Sequence, residues 1–344
     1  MGVPDASDSR LAALSRWVRD DLGFAGGRIA PASVDASFRR YFRVTRGEDT
    51  YIAMDAPPGK ETLGPFVSVA RMLLQMGLNV PMVLAQDATQ GFLLLSDLGT
   101  RQYLDELKTA GAAEALYADA LDALSTMQTA GDAMAAGLPP YDHAMLMREM
   151  DLMPKWFLTE HLALEVSAAE LAMLNRLFEA LAQSALAQPA AFVHRDYHSR
   201  NLLVTAAHNP GILDFQDAVR GPVTYDLVSL LKDCYVEWPA ARVRAWALGY
   251  RERLMQRGFA LGAAEHEFIR WFDLIGLQRH IKVLGIFARL FYRDGKSQYL
   301  LDLPRVLRYT QDAAADHAET AEFARFIATR IEPNFQAAQQ RALG

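Results

Sequence analysis

The chain has 344 residues, of which 51% are hydrophobic and 22% charged. That balance belongs to a globular protein long enough for one large domain or two lobes, and it excludes a disordered or fibrous chain. The net charge of −6 argues against a protein built to coat nucleic acid.

The first ten residues are polar and acidic, without the basic-then-apolar layout of a signal peptide. No later stretch approaches the ~20 uncharged apolar residues of a membrane span, so no membrane role and a cytoplasmic location are expected. Residues 9 to 22 place Leu11, Leu14, Trp17, Val18 and Leu22 on one helical stripe, ended by Gly23. From Arg28 to Ala56 the pattern changes to three short β-rich runs separated by polar or glycine-containing turns, closed by Pro57-Pro58-Gly59. A helix from Leu63 to Met76 and two further strands, Val80 to Ala85 and Phe92 to Leu95, complete a small antiparallel sheet with one inserted helix.

Beyond Leu98-Gly99 the chain turns helical and rich in alanine, a helix-forming bias. Helices are expected from Ala112, over 143 to 164, and over 167 to 187 with Ser167 and Glu170 as a capping box. Further helices cover 240 to 257, 263 to 291, 300 to 314 and 318 to the end. The fold class is therefore α+β, with a β lobe over 1–98 and a large, mainly helical lobe over 99–344. The single cysteine, Cys234, permits no internal disulfide and reads as a buried thiol.

Between the helices lies Phe192 to Leu231, which contains His194-Arg195-Asp196, then Asn201, then Asp214. Two apolar runs, Leu202 to Thr205 and Ile212 to Phe215, read as a hairpin. Pairing them about a centre between 207 and 208 sets Asn201 across from Asp214, where two oxygen ligands could share one Mg²⁺. Asp196, five residues before Asn201, stays off the hairpin. A rival reading places His194, Asp196 and His198 on one face of a strand as a hydrolase metal site.

The spacing H-x-D-x-x-x-x-N, followed by a strand ending Leu213-Asp214-Phe215, resembles the protein-kinase-like fold, in particular its aminoglycoside phosphotransferase and choline kinase branch. The resemblance implies ATP and Mg²⁺ as cofactors, Asp196 as the catalytic base, and Asn201 and Asp214 as metal ligands. It makes His194 and Asp226 supports of the catalytic loop, although Asp226 also suits a plain helix N-cap. It further implies that nucleotide is met by Ser37, Phe38 and Arg39 in the loop after the first strand, and by backbone groups from Leu95 to Asp97.

One departure is sharp. The third strand of that fold carries a phosphate-binding lysine paired with a helix glutamate. Here the position falls on Met54 or Asp55, the helix from Leu63 to Gly77 has no acid, and Lys60 is the only lysine of the first hundred residues. Arg43 and Arg39 alternate onto one face of the second strand and are the candidates to replace it.

The longer run from Leu213 to Asp233, with Met54-Asp55-Ala56-Pro57-Pro58 and Leu277-Gln278-Arg279-His280, resembles a subgroup of bacterial kinases. These phosphorylate the anomeric hydroxyl of N-acetylmuramate and N-acetylglucosamine in peptidoglycan recycling. An amino sugar acceptor follows as an expectation, with Asp217, Arg220, Lys232 and Arg279 as the residues that would read it. Arg279, Lys282 and Arg289 share one helical stripe and suit the carboxylate of N-acetylmuramate. An aminoglycoside phosphotransferase and a nucleotide-binding pseudokinase remain open beside this reading.

Overall fold

The computed structural model describes residues 8–34, 38–107 and 110–343. Five strands, β1 (Arg28–Val34), β2 (Arg40–Arg46), β3 (Asp49–Asp55), β4 (Val83–Asp87) and β5 (Phe92–Ser96), form one antiparallel sheet in the order β1-β2-β3-β5-β4. A first helix, α1 (Ser9–Arg16), is capped by Asp8 and runs into a wider, π-type turn over Trp17–Asp21. Its Leu14, Trp17 and Val18 pack on Phe42, Val44, Ala53, Phe92 and Leu94, which fixes one face of the sheet as a core. Because side chains alternate along a strand, Tyr41, Arg43, Ile52 and Met54 face the other way.

Two features hold this sheet in register. Asp55 is fully buried on the α1 face and takes Arg10 Nε at 2.9 Å and Arg40 Nη2 at 2.6 Å. Gly91 closes the β4–β5 turn with φ +77°, where a Cβ would lie 2.0 Å from the Ala56 carbonyl oxygen, so no other residue fits. The third-strand choice left open by the sequence is thus resolved: Asp55 belongs to the α1 core, and Met54 occupies the opposite face. Helix α2 (Leu63–Gln75) lies between β3 and β4 in the chain and buries Phe66, Val69, Ala70 and Leu73.

The rest is mainly helical. In chain order it comprises α3 (Tyr103–Glu106), α4 (Ala110–Ala130), α5 (Asp132–Ala135), α6 (His143–Met150), α7 (Ala168–Leu186), α8 (Tyr225–Leu231), α9 (Ala240–Gln256), α10 (Glu265–Tyr292), α11 (Leu303–Ala315), α12 (Ala321–Phe326) and α13 (Glu332–Leu343). The predicted helix over 143 to 164 is α6 followed by a π-type segment, Met153–His161, with Pro154 at its start; proline supplies no N–H to continue an α ladder. Likewise the segment from 318 is not one helix but a series broken at Ile327–Ile331. Helix α7 begins with the expected capping box of Ser167 and Glu170. Helix α10 is buried along most of its length. At Gly285 a Cβ would sit 2.4 Å from the Leu152 backbone, so this glycine lets α10 pack directly against the segment after α6.

Four short strands complete the chain: β6 (Ala190–Val193) pairs with β9 (Val219–Pro222), and β7 (Leu202–Leu203) pairs with β8 (Gly211–Ile212). The chain folds as two compact units, Met1–Asp105 with Asn201–Asp217, and Glu106–Arg200 with Ala218–Gly344. A single boundary after residue 98 does not describe that division. The chain leaves the second unit after Arg200, contributes the β7–β8 hairpin to the first, and returns at Ala218.

Candidate active site

The hairpin is tied into the first unit by backbone bonds. Val204 N–H donates to the Arg101 carbonyl at 2.7 Å, and Ile212 N–H to the Asn79 carbonyl at 2.8 Å. Its register differs from the expected one. Leu202 pairs with Ile212 and Leu203 with Gly211, so Asn201 stands across from Leu213, whose N–H reaches its carbonyl at 2.9 Å. A one-residue slip normally turns a side chain to the opposite face. Asp214 offsets it by adopting a left-handed backbone, φ 62°. The side chains meet after all, with Asn201 Nδ2 3.4 Å from Asp214 Oδ2.

Gln216 Nε2 donates to Asp214 Oδ1 at 2.8 Å and orients the carboxylate, while the buried Phe215 ring packs 4.9 Å from Phe66 of α2. Hard oxygen donors from one carboxylate and one amide suit Mg²⁺, which keeps several positions for water and phosphate and needs few protein ligands.

Asp196 belongs to the second unit, in the loop that leaves β6. Arg195 takes a left-handed φ of 77°, and the loop is held from behind by Asp226. Asp226 is fully buried and accepts the N–H groups of His194 at 2.6 Å and Arg195 at 2.9 Å. It is not the N-cap of α8: that position is Thr224, and Asp226 lies inside the first turn. Burial raises its carboxyl to about 7, against the two N–H bonds that pull it down. The buried His194 accepts the Asp196 N–H through Nδ1 at 3.3 Å.

The segment after Val193 is thus not a strand, so the alternation that would set His194, Asp196 and His198 on one strand face does not apply. Among the described residues no three His, Cys, Asp or Glu side chains gather to hold a metal.

A charged cluster surrounds Asp196. Burial pushes its carboxyl up, but the charges of Lys282, Arg279 and Arg195, with the neighbouring His198 ring, outweigh it and keep the acid below its ordinary value. Glu149 of α6 organises two of those cations. Arg195 Nη2 donates to Glu149 Oε1 at 2.5 Å and Lys282 Nζ to the same oxygen at 2.9 Å, while Tyr141 donates to Oε2. Lys282 also reaches Tyr225 OH at 3.0 Å. Glu149 itself is held ionised against its burial by Lys282 and Arg195. Sequence reasoning missed Glu149. Its signal was an acid in line with Leu146, Met150 and Met153, an apolar stripe that an unpaired carboxylate would not enter.

The nucleotide candidates separate. Ser37 lies outside the described residues. Phe38 is 59% exposed, with Lys60 Nζ 4.6 Å from its ring centroid. Arg39 Nη2 pairs with Glu61 Oε2 at 2.9 Å. Burial works against the Arg39 charge, and Tyr41, Glu61, Asp217 and Asp214 outweigh it, so both hairpin acids lie within electrostatic reach of this guanidinium. Arg43 instead donates through Nε to Asp97 Oδ2 at 2.6 Å and through Nη2 to the Gly99 carbonyl at 3.2 Å. Leu95 is paired on both sides, with Ile52 and Val83, so its backbone is part of the sheet, and Asp97 is past the last strand residue, Ser96.

The acceptor candidates separate too. Lys232 donates to Asp273 at 2.9 Å, and Arg279 is buried with Ser229 Oγ at 2.8 Å and Cys234 Sγ at 3.5 Å. Both are engaged inside the second unit. Arg220 is an exposed residue of β9, and Asp217 an exposed residue at the end of the hairpin.

Residues 28–266 match the model of the phosphotransferase enzyme family. An N-acetylmuramate/N-acetylglucosamine kinase of Pseudomonas aeruginosa is 46% identical over 334 residues, spanning 94% of this chain and 98% of its own. A protein of the same name from Neisseria meningitidis is 40% identical over 91% of this chain and 93% of its own. Among solved structures, the GDP complex of an aminoglycoside 2′-phosphotransferase superposes with a TM-score of 0.62 at 15% identity, covering 89% of this chain and 98% of that one. A choline kinase of Streptococcus pneumoniae gives 0.57 at 11% identity, covering 88% and 100%.

Proposed function

Because the chain belongs to the phosphotransferase enzyme family, we propose that it is a kinase that moves the γ-phosphoryl of ATP to the anomeric hydroxyl of N-acetylmuramate and N-acetylglucosamine. The observation that carries the choice of sugar is the 46% identity to a kinase of that name over nearly the full length of both chains. The solved aminoglycoside phosphotransferases, choline kinase and ethanolamine kinase share the fold at 10–17% identity and do not bear on the acceptor. The product is a sugar 1-phosphate, and the expected setting is cytoplasmic peptidoglycan recycling.

In this reading Asp196 accepts the proton of the attacking hydroxyl. A base must be ionised before the reaction starts, and the cations around Asp196 keep it so at neutral pH. Asp226 and His194 fix the loop, so the carboxylate is presented without reorganisation. Asn201 and Asp214 would hold Mg²⁺, which when bound neutralises phosphate charge. Gln216 orients the Asp214 carboxylate for that task. Backbone groups at Asp97 and beyond are assigned to the adenine.

The decisive measurement is ATP consumption by the purified protein with N-acetylmuramate, N-acetylglucosamine, kanamycin or choline, alongside Asp196→Asn. Turnover of the two amino sugars and not of kanamycin or choline is expected, lost in the variant. Absence of turnover with both amino sugars refutes the acceptor assignment, and an active Asp196→Asn refutes the base.

A further inference from the structure

The phosphates of a bound nucleotide carry several negative charges, and the hairpin that would hold the metal adds Asp214 and Asp217. One Mg²⁺ does not balance that sum, and a fixed cation beside the phosphates would add to their binding. The strand face opposite α1 offers none from β3, because Met54 stands there.

The cations of β2 and its flanks can be sorted by their partners. Arg40 is turned to the α1 face, where it holds Asp55 and Asp8. Arg43 is fixed to Asp97 and the Gly99 carbonyl. Arg46 lies 5.1 Å over the Phe24 ring, and Lys60 over that of Phe38. Arg39 is different. It immediately precedes β2 and lies outside the strand, and its charge is felt by Tyr41, Asp217 and Asp214.

Glu61 explains how Arg39 is kept there. Its Oε2 accepts the guanidinium at 2.9 Å, and its Oε1 lies 3.3 Å from the Phe38 N–H, so one carboxylate ties both the side chain and the backbone at the start of the strand. The pair is largely covered, with side-chain exposures of 10% and 13%. A guanidinium has five N–H donors in a planar fork and can bind a carboxylate and phosphate oxygens together.

We propose that Arg39, oriented by Glu61, is the phosphate-positioning cation of this kinase. An arginine at the entrance of β2 and a glutamate just before α2 do the work that a third-strand lysine and a helix acid would otherwise do. The inference rests on the nucleotide-dependent reading above.

Its test is the affinity of the full-length protein for ATP, ADP and adenosine by calorimetry, in wild type, Arg39→Ala, Arg39→Lys, Glu61→Gln and Arg43→Ala. Arg39→Ala should weaken ATP and ADP by about 10- to 100-fold, the worth of one charge-assisted bond, and leave adenosine unchanged. Arg39→Lys should recover part of that loss, and Glu61→Gln should lose about three- to tenfold on the same two ligands. In turnover the KM for ATP should rise while that for the sugar stays. Unchanged ATP affinity in Arg39→Ala, or an equal loss of adenosine, overturns the proposal, as does a phosphate-selective loss in Arg43→Ala alone. If Arg39→Ala does not fold, Arg39→Lys and Glu61→Gln decide by the same selectivity. Binding is read without any acceptor, so a wrong sugar assignment does not disturb the result.

Discussion

The candidate charged groups of the two compact units differ in what their partners do. In the second, charge is buried and already paired: Glu149 holds Arg195 and Lys282 together, and Asp196 sits among cations that fix its protonation state. In the first, the polar residues of interest are oxygen donors and a guanidinium with an orienting partner, Asn201 and Asp214 with Gln216, and Arg39 with Glu61. The contrast follows from the tasks proposed for them. A base must enter the reaction ionised, which calls for fixed cations beside it. Groups that receive a metal and phosphates must leave coordination to be completed by the ligand.

The comparison can be broken from either side. The largest effect is expected from Asp196→Asn, which keeps the loop geometry and removes only the proton acceptor. The kcat should fall by roughly 10³- to 10⁴-fold with both KM values little changed. Steady-state kinetics checks this, and an equal rise in KM would instead make Asp196 a binding residue.

Glu149→Ala comes next and acts on stability. It leaves the buried Lys282 and the half-buried Arg195 without their carboxylate, a change that costs about 3–5 kcal/mol where a buried pair is broken from one side. Urea unfolding measures it, and a cost below about 1 kcal/mol, the range of exposed pairs, would show the cluster to be solvated.

On the first unit, Asp214→Asn should raise the Mg²⁺ concentration for half-maximal activity by about 100-fold without altering the melting temperature, since a carboxylate is exchanged for a neutral oxygen ligand. A Mg²⁺ titration of activity reads this directly.

The smallest effect is a pH dependence in the second unit. Buried His280 bonds through Nε2 to the Lys232 carbonyl at 3.0 Å, stacks on Tyr309, and is pushed by burial down to about 3. A histidine whose folded pKa is depressed gives stability that is present above the unfolded value near 6.5 and is lost as pH falls toward the folded one. Asp226, raised to about 7, works in the opposite direction, its contribution being present at low pH and lost as pH rises to 7. The informative quantity is therefore the difference between wild type and His280→Asn. Between pH 7 and 4.5 wild type should lose about 2 kcal/mol relative to the variant, read from urea midpoints at each pH.

Much was legible in the chain because it is local. The alternation that marks β1 to β3, the capping box at Ser167, and the order of Asp196, Asn201 and Asp214 are properties of neighbouring residues, and hydrogen-bond periodicity enforces them wherever they occur. What depended on long-range packing was not legible. The sequence allowed Asn201 to face Asp214 by simple ladder symmetry, whereas the ladder is shifted by one residue and a left-handed Asp214 restores the meeting. It left Met54 and Asp55 equivalent until α1 claimed one face of the sheet.

It left Arg39 and Arg43 equivalent as well, because the alternation set both on one face of the expected strand; the folded chain starts β2 at Arg40 and brings Asp97 to Arg43 and Glu61 to Arg39. Glu149 shows the same limit. Its helix reads as an ordinary amphipathic one, and the two cations that make a buried carboxylate tolerable arrive from residues 195 and 282. The sequence by itself determined the fold class and the chemistry-bearing motif, since both are written in spacing. The tertiary structure decided which charges meet, since that depends on the faces that distant segments cover.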